Sequence, residues 1–306
     1  MLANTPLVSI GMPVFNGMRS DLKRNINFEK SLQSVLKQSY QNLEIIISNN
    51  CSNDETLNII KKYLKKDKRI IFYEQKKKID LLDNFKFVLA KSSGEYFKFN
   101  SYDDYISSDF IEKNIKFLIK NNDYAFSSSP LFYESNKKKK IEKIKSLDGD
   151  VYNRIKNFLK GAVYSQHCVY ALYKKKYLED SIFGNKLNKF KINKNIFCLD
   201  WLSTIQILIN GKFKTIKHGK LVIGIHGTSN EIGYVKKQIF IVSKSKFGIL
   251  FRYIFPIIDF NKAFFLIISD LKNISNLGKL NLNIMSFSYN WFFLKIIIKR
   301  ILLSIK

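Results

Sequence analysis

Two carboxylates, Asp103 and Asp104, stand side by side in the stretch "FKFNSYDDYIS". They follow a run, Glu95 to Asn100, in which aromatic and polar residues alternate as in a strand that opens into a turn over Tyr102 to Ser107. Adjacent like charges repel. The pair is either a solvated turn ahead of a helix cap at Ser107, Ser108 and Asp109, or part of a site with a use for paired acids. Two further polar loops, "PVFNG" (13–17) and "SNNCSND" (48–54), are rich in turn formers. Asp200 in "FCLDWLS" and the histidines His167, His218 and His226 add groups able to move a proton or hold a cation.

The elements that must position these residues alternate. "LVSIGMP" (7–13), "LEIIIS" (43–48), "RIIFY" (69–73) and "EYFKFN" (95–100) read as short strands. Helical stripes lie between them: Phe28, Leu32, Val35 and Leu36, then Leu57, Ile60 and Leu64 behind a capping box of Ser52 and Glu55. Leu82, Phe85 and Leu89 form a third stripe, and Ile111, Ile115, Leu118 and Ile119 a fourth. Repeated βα units predict a mostly parallel sheet flanked by helices, and such sheets bind ligands at the carboxyl ends of their strands. All three polar loops sit at such ends.

With 306 residues, 46% of them hydrophobic, the chain can bury one large core or two smaller ones and is not disordered. Its net charge of +27 points to a polyanionic partner: nucleic acid, an acidic membrane surface or a phosphate-bearing small molecule. Part of that charge reflects a Lys-, Ile- and Asn-rich composition. Cys51, Cys168 and Cys198 are far apart and form no ligand spacing, which predicts a reducing compartment. The start "MLANTPLVSIGMP" does not read as a signal peptide, and no apolar run reaches spanning length. The expected location is the cytoplasm or a membrane face.

"VSIGMPVFNG", "SLQSVLKQSYQNLEIIISNNCSNDET" and "NFKFVLAKSSGEYFKFNSYDD" together resemble the successive blocks of family 2 glycosyltransferases. The likeness runs from residue 7 to about 125 and fades beyond. It implies the GT-A fold, a Rossmann-like, mostly parallel α/β sheet, and inverting transfer of a sugar from a nucleotide diphosphate, commonly uridine, to an acceptor hydroxyl. A leaving diphosphate carries negative charge that a divalent cation, Mn or Mg, can neutralise.

By that resemblance, Asp103 matches the metal-binding carboxylate and Asp104 lies beside the donor sugar or acceptor. Pro13, Phe15 and Asn16 match the first nucleotide-contacting block, and Asn49 stands in the base-recognition loop where an Asp is frequent. Ser101 replaces an additional Asp of the commoner pattern, which predicts weaker metal affinity. Asp200 resembles the acidic residue before a helix in the second half of such enzymes and is the expected general base. Its neighbour Trp201 either stacks on a sugar ring or belongs to the core. His226 in "VIGIHGTSN" ends an apolar strand, where imidazole can complete a metal shell or contact the diphosphate. His167, opening the strand-like "HCVYALY", is expected to line the acceptor side, His218 to be structural, and Asp54 to cap a helix.

The expected organisation is a nucleotide-sugar half (1–125), an acceptor-binding half of the same domain (126–230) and a helical extension (231–306). The run "NKKKKIEKIK" (136–145) reads as a solvated loop. Residues 241–306 hold ten basic and two acidic side chains. The final "NWFFLKIIIKRILLSIK" groups Lys295, Lys299, Arg300 and Ser304 near one helical face, with Trp291, Phe292, Ile296, Ile298 and Leu302 elsewhere. That is the composition of a helix lying on an anionic membrane surface. The leading expectation is therefore an inverting enzyme building a bacterial surface glycan (capsule, lipooligosaccharide or O-antigen type) on the inner face of the cytoplasmic membrane. An inactive relative acting as partner subunit is the alternative that Ser101 and Asn49 allow. A nucleic-acid-binding protein drawing on the basic charge is the less favoured alternative: it predicts aromatic residues interleaved with basic ones on a platform, and no recognised single-strand or helix-turn-helix motif appears.

Overall fold

The protein is described from a computed structural model, which defines residues 5–18, 28–133, 140–141, 146–161, 165–184, 199–224 and 248–288. The expected βα alternation is present. Strand β1 (Val8–Val14) is buried at every position, which marks it as a central strand. Helix α1 (Phe28–Leu36) follows, burying Phe28, Leu32 and Val35 along one stripe. Then come β2 (Leu43–Asn49), α2 (Thr56–Leu64), β3 (Ile70–Glu74), α3 (Leu81–Ala90) and β4 (Tyr96–Phe99).

The chain next forms β5 (Tyr105–Ile106), α4 (Phe110–Lys120), β6 (Tyr124–Ser128), β7 (Leu131–Tyr133) and β8 (Lys140–Ile141). Helices α5 (Val151–Leu159) and α6 (Ser165–Val169), strand β9 (Leu172–Lys174) and helix α7 (Lys175–Glu179) precede α8 (Leu199–Asn210). Strands β10 (Lys212–Thr215) and β11 (Leu221–Ile223), helix α9 (Gly248–Ser269) and a helical stretch over 276–288 complete the described chain.

Seven strands form one sheet in the order β10-β6-β9-β4-β1-β2-β3. β1 pairs in parallel with β2 on one side and β4 on the other, and β2 with β3. Only β9 runs against its neighbours, β4 and β6, so the sheet is mostly parallel as expected. Because the chain leaves β1 toward β2 while β4 lies on the opposite flank, the carboxyl end of β1 is a topological switch point, where open α/β sheets hold ligands. A smaller sheet, β5-β11-β7-β8, sits beside it. Its pairing of Leu221 with Ile106 fixes the segment just after the Asp pair.

Each face of the main sheet is covered. Val8, Ile10, Met12, Ile45 and Ile47 pack with Phe28, Leu32 and Ile111 in one cluster. Phe97, Phe99, Phe126, Phe158 and Phe213 pack with Phe260 and Phe264 of α9 in the other. Fully burying one such side chain stabilises by about 1.5–3 kcal/mol, so α9 is an integral layer of the fold.

Three local expectations are corrected. The Ser52–Glu55 capping box does not form: Glu55 occupies the N-cap of α2 without a side-chain cap bond. Ser52 Oγ instead accepts the N–H of Asn16, and Asp54 Oδ1 accepts the Thr56 N–H at 3.1 Å. His167 opens no strand; it lies within α6, because backbone pairing is taken by Leu172 to Lys174 alone. Part of the run read as a solvated loop, Lys140–Ile141, pairs with β7. His226, Cys198 and the C-terminal stretch with Lys295, Lys299 and Arg300 lie outside the described residues. Among the described residues no helix is long and apolar enough to cross a membrane.

Candidate functional site

The loops after β1, β2 and β3 are stapled into one surface. Asn16, at φ 51, takes the left-handed conformation that a short amide side chain tolerates. Its N–H donates to Ser52 Oγ at 2.9 Å, and its Oδ1 accepts from the Asn53 N–H at 2.9 Å. Gly17 and Met18 donate to Thr56 Oγ1 and Asp54 Oδ2, each at 2.8 Å. Asn50 grips the third loop twice, donating to Ile79 O and accepting from Ile79 N–H at 2.9 Å each. Lys78 Nζ lies 3.8 Å from the ring centroid of half-buried Phe15. Pro13 is buried in register with Ser48.

Asn49 is wholly buried and its amide is engaged within the protein. Its Nδ2 donates to Glu74 Oε1 and its Oδ1 accepts from the Ser52 N–H, both at 3.3 Å. An Asp there would set a carboxylate against Glu74, which gives a local reason for the amide.

Asp103 and Asp104 leave the end of β4 in different environments. Asp103 is half-buried and accepts from Ser101 Oγ at 2.5 Å. Asp104 is 3% exposed, and its Oδ1 accepts the backbone N–H of Gly224 at 2.9 Å. Burial above all, and then the neighbouring Asp103, pushes the Asp104 carboxyl well above the usual range; Gly224 and Lys98 oppose that shift. Gly224 can have no side chain here without a shift of the loop, because a Cβ would stand 2.5 Å from Asp103 O.

Beneath the pair lies a group that sequence reading missed. Lys98 is fully buried, since β4 is central and both its faces are covered. Its Nζ donates to Phe99 O at 2.8 Å and to Asn100 Oδ1 at 3.2 Å. The Phe110 and Tyr170 rings lie 5.2 and 5.8 Å from the ammonium. Burial lowers its pKa to about 7 against the pull of Asp104. Asn100, so oriented, donates through Nδ2 to Ser31 Oγ, Ser101 O and Asp104 O at 2.9–3.3 Å and thereby clamps the Asp turn. In the sequence Lys98 reads only as one of the polar members of the alternating run Glu95 to Asn100.

Asp200 stands in the first turn of α8, close enough to Cys168 and Tyr173 to raise both by its charge, after burial. Trp201 packs against Phe158 with ring centroids 5.1 Å apart, as part of the core margin. His167 does not line an open acceptor side: it is fully buried, bonded through Nε2 to Ser129 O at 2.6 Å, and burial holds its pKa down at about 4.

Among the described residues no three His, Cys, Asp or Glu side chains cluster into a metal cage. A hard cation shared with a diphosphate needs only one or two protein carboxylates, and half-buried Asp103 can supply one, whereas Asp104 is buried and bonded to Gly224.

Residues 9–182 match glycosyl transferase family 2, more than half of the chain, and the protein belongs to that family. A Haemophilus influenzae "uncharacterized glycosyltransferase" is 31% identical over 151 residues, covering 47% of this chain and 56% of that relative. The Campylobacter jejuni "GalNAc(5)-diNAcBac-PP-undecaprenol beta-1,3-glucosyltransferase" is 27% identical over 182 residues, 59% of this chain and 56% of the relative. The matches thus span only about half the length of these curated relatives. S. aureus TarS 1-349 in complex with UDP-GlcNAc superposes with a TM-score of 0.65 at 15% identity, covering 94% of this chain and 73% of that one. GalNAc-T7 with UDP, GalNAc and Mn2+ gives a TM-score of 0.51 at 10% identity over 72% of this chain and 44% of the other. These likenesses show the GT-A fold.

Proposed function

We propose that the chain is an inverting glycosyltransferase that moves a sugar from a uridine diphosphate sugar to a hydroxyl of a lipid-linked bacterial surface glycan. The observation that carries this reading is the placement of Asp103 and Asp104 at the carboxyl end of β4, beside the switch point at β1 and its stapled loops. The UDP-sugar held by a structural neighbour supports the donor class, and the lipid-linked substrate in the Campylobacter relative's name supports the acceptor class.

In this reading Pro13, Phe15, Asn16 and Asn49 shape the nucleoside side of the cleft, Asn49 by holding the β2 loop to Glu74 and Ser52. Asp103 holds a divalent cation, Mn or Mg, which when bound offsets the charge of the departing diphosphate. His226 is a further candidate ligand. Asp104, fixed by Gly224 and Asn100, faces the donor sugar or acceptor. Asp200 takes the proton of the attacking hydroxyl, since inversion needs a base opposite the leaving group. Residues 126–230 supply the acceptor side, and 231–306 hold the enzyme to the inner face of the cytoplasmic membrane through the basic, aromatic C-terminal stretch.

The test is thermal stabilisation by a panel of nucleotide sugars with and without manganese, followed by turnover of the best donor. UDP-sugars should stabilise the fold, and Asp103→Ala should abolish transfer while the fold persists. Binding without turnover of any donor would favour a partner-subunit role.

A further inference from the structure

The C-terminal helices carry apolar residues on two sides. Inward, Phe260, Phe264, Ile267, Ile268 and Leu282 enter the core shared with Phe158 and Phe213. Outward, Phe265 and Leu266 on α9 and Leu277, Leu280, Ile284 and Phe287 on 276–288 are 45–68% exposed. The last four recur at intervals of three, four and three, so they share one helical stripe. Seven of the nine exposed large hydrophobics among the described residues fall on these helices, the seventh being Ile258. The concentration is regional.

The two helices hold together independently of that outer face. Ser286 Oγ donates to Asn261 Oδ1 at 2.9 Å, and Lys279 Nζ to Ser269 O at 2.9 Å. Between them runs an apolar groove of about 480 Å³ bordered by Phe265, Leu266 and Phe287, with Lys262 at its edge. An outer stripe of this size on an already packed helix pair marks a contact surface.

We infer that this outer face is a bilayer-docking surface for anionic lipid. It rests on the proposed work at a membrane, and it assigns docking to residues other than the C-terminal stretch. Charge decides among occupants. A second copy would bring another +27 against the first, whereas an anionic leaflet is complementary to that charge and to the ten basic against two acidic residues of 241–306. Exposed Lys262 borders the groove beside Phe265, Leu266 and Phe287, where its stem can insert and its ammonium can meet headgroups, and Lys272 is exposed in the turn between the two helices. The face is also continuous in sequence with the aromatic and basic run that starts four residues beyond Phe287, at Trp291.

The experiment is co-sedimentation of the full-length protein with phosphatidylcholine vesicles, with and without phosphatidylglycerol. Its variants are Leu277→Ser, Leu280→Ser, Ile284→Ser and Phe287→Ser combined, and separately Lys295→Gln, Lys299→Gln and Arg300→Gln combined. The parent should bind the anionic vesicles, and the fourfold serine variant should lose about tenfold or more in partitioning with its circular dichroism and UDP-sugar stabilisation unchanged. Parental vesicle binding by the serine variant, with loss only in the glutamine variant, would overturn the docking face and leave membrane attachment standing. A parent that ignores anionic vesicles would overturn both. A parent that sediments as an oligomer, dispersed by the serines with vesicle binding intact, would make the face a self-contact and overturn the inference.

Discussion

The Asp104 carboxylate accepts a hydrogen bond of 2.9 Å from the backbone N–H of Gly224, 120 positions further along the chain. The bond joins the turn between β4 and β5 to the end of β11, and the pairing of β11 with β5 holds both in place. Two segments remote in sequence therefore share one task, fixing the acid pair.

Gly224→Ala tests that closure. The new Cβ would stand 2.5 Å from Asp103 O, so the Asp turn must shift. A displacement of about 1 Å at a reacting centre costs about 10²-fold, and kcat/KM should fall by that order. Turnover at the parental rate would mean that the turn yields without consequence.

Lys98→Met separates charge from shape. Burial brings the Lys98 pKa from 10.5 down to about 7, so between these values the folded chain binds fewer protons than the unfolded one. The lysine's penalty is full below about pH 7 and fades as pH rises toward 10.5. Urea unfolding at both ends of that window should show the parent gaining stability relative to Lys98→Met as pH rises. A constant difference would place the ammonium in a wetter setting.

Asn49→Asp should destabilise by about 1–3 kcal/mol, because it replaces a donor to Glu74 Oε1 with a second carboxylate. The urea midpoint reports the loss. Glu74→Gln in the same chain should recover much of it, which a general loosening of the loop would not allow.

Asp200→Asn keeps the side-chain shape and removes the base. Transfer should drop by about 10²- to 10⁴-fold with donor stabilisation unchanged. A fall of less than about tenfold would move the proton-accepting role to another carboxylate.

Sequence alone determined the βα order, the buried stripes of α1 and α4, and the Asp pair at a strand end, because each follows from local periodicity and turn chemistry. Periodicity names the face a residue takes but not the strand that covers it. Tertiary structure therefore decided that antiparallel β9 lies between β4 and β6, which buries Lys98 in a run whose alternation alone would leave it on a polar face. It likewise decided that Ser52 bonds Asn16 in place of a capping box, and that Gly224 meets Asp104. Those contacts join residues 36 and 120 positions apart, and only chain folding brings such partners within hydrogen-bond reach.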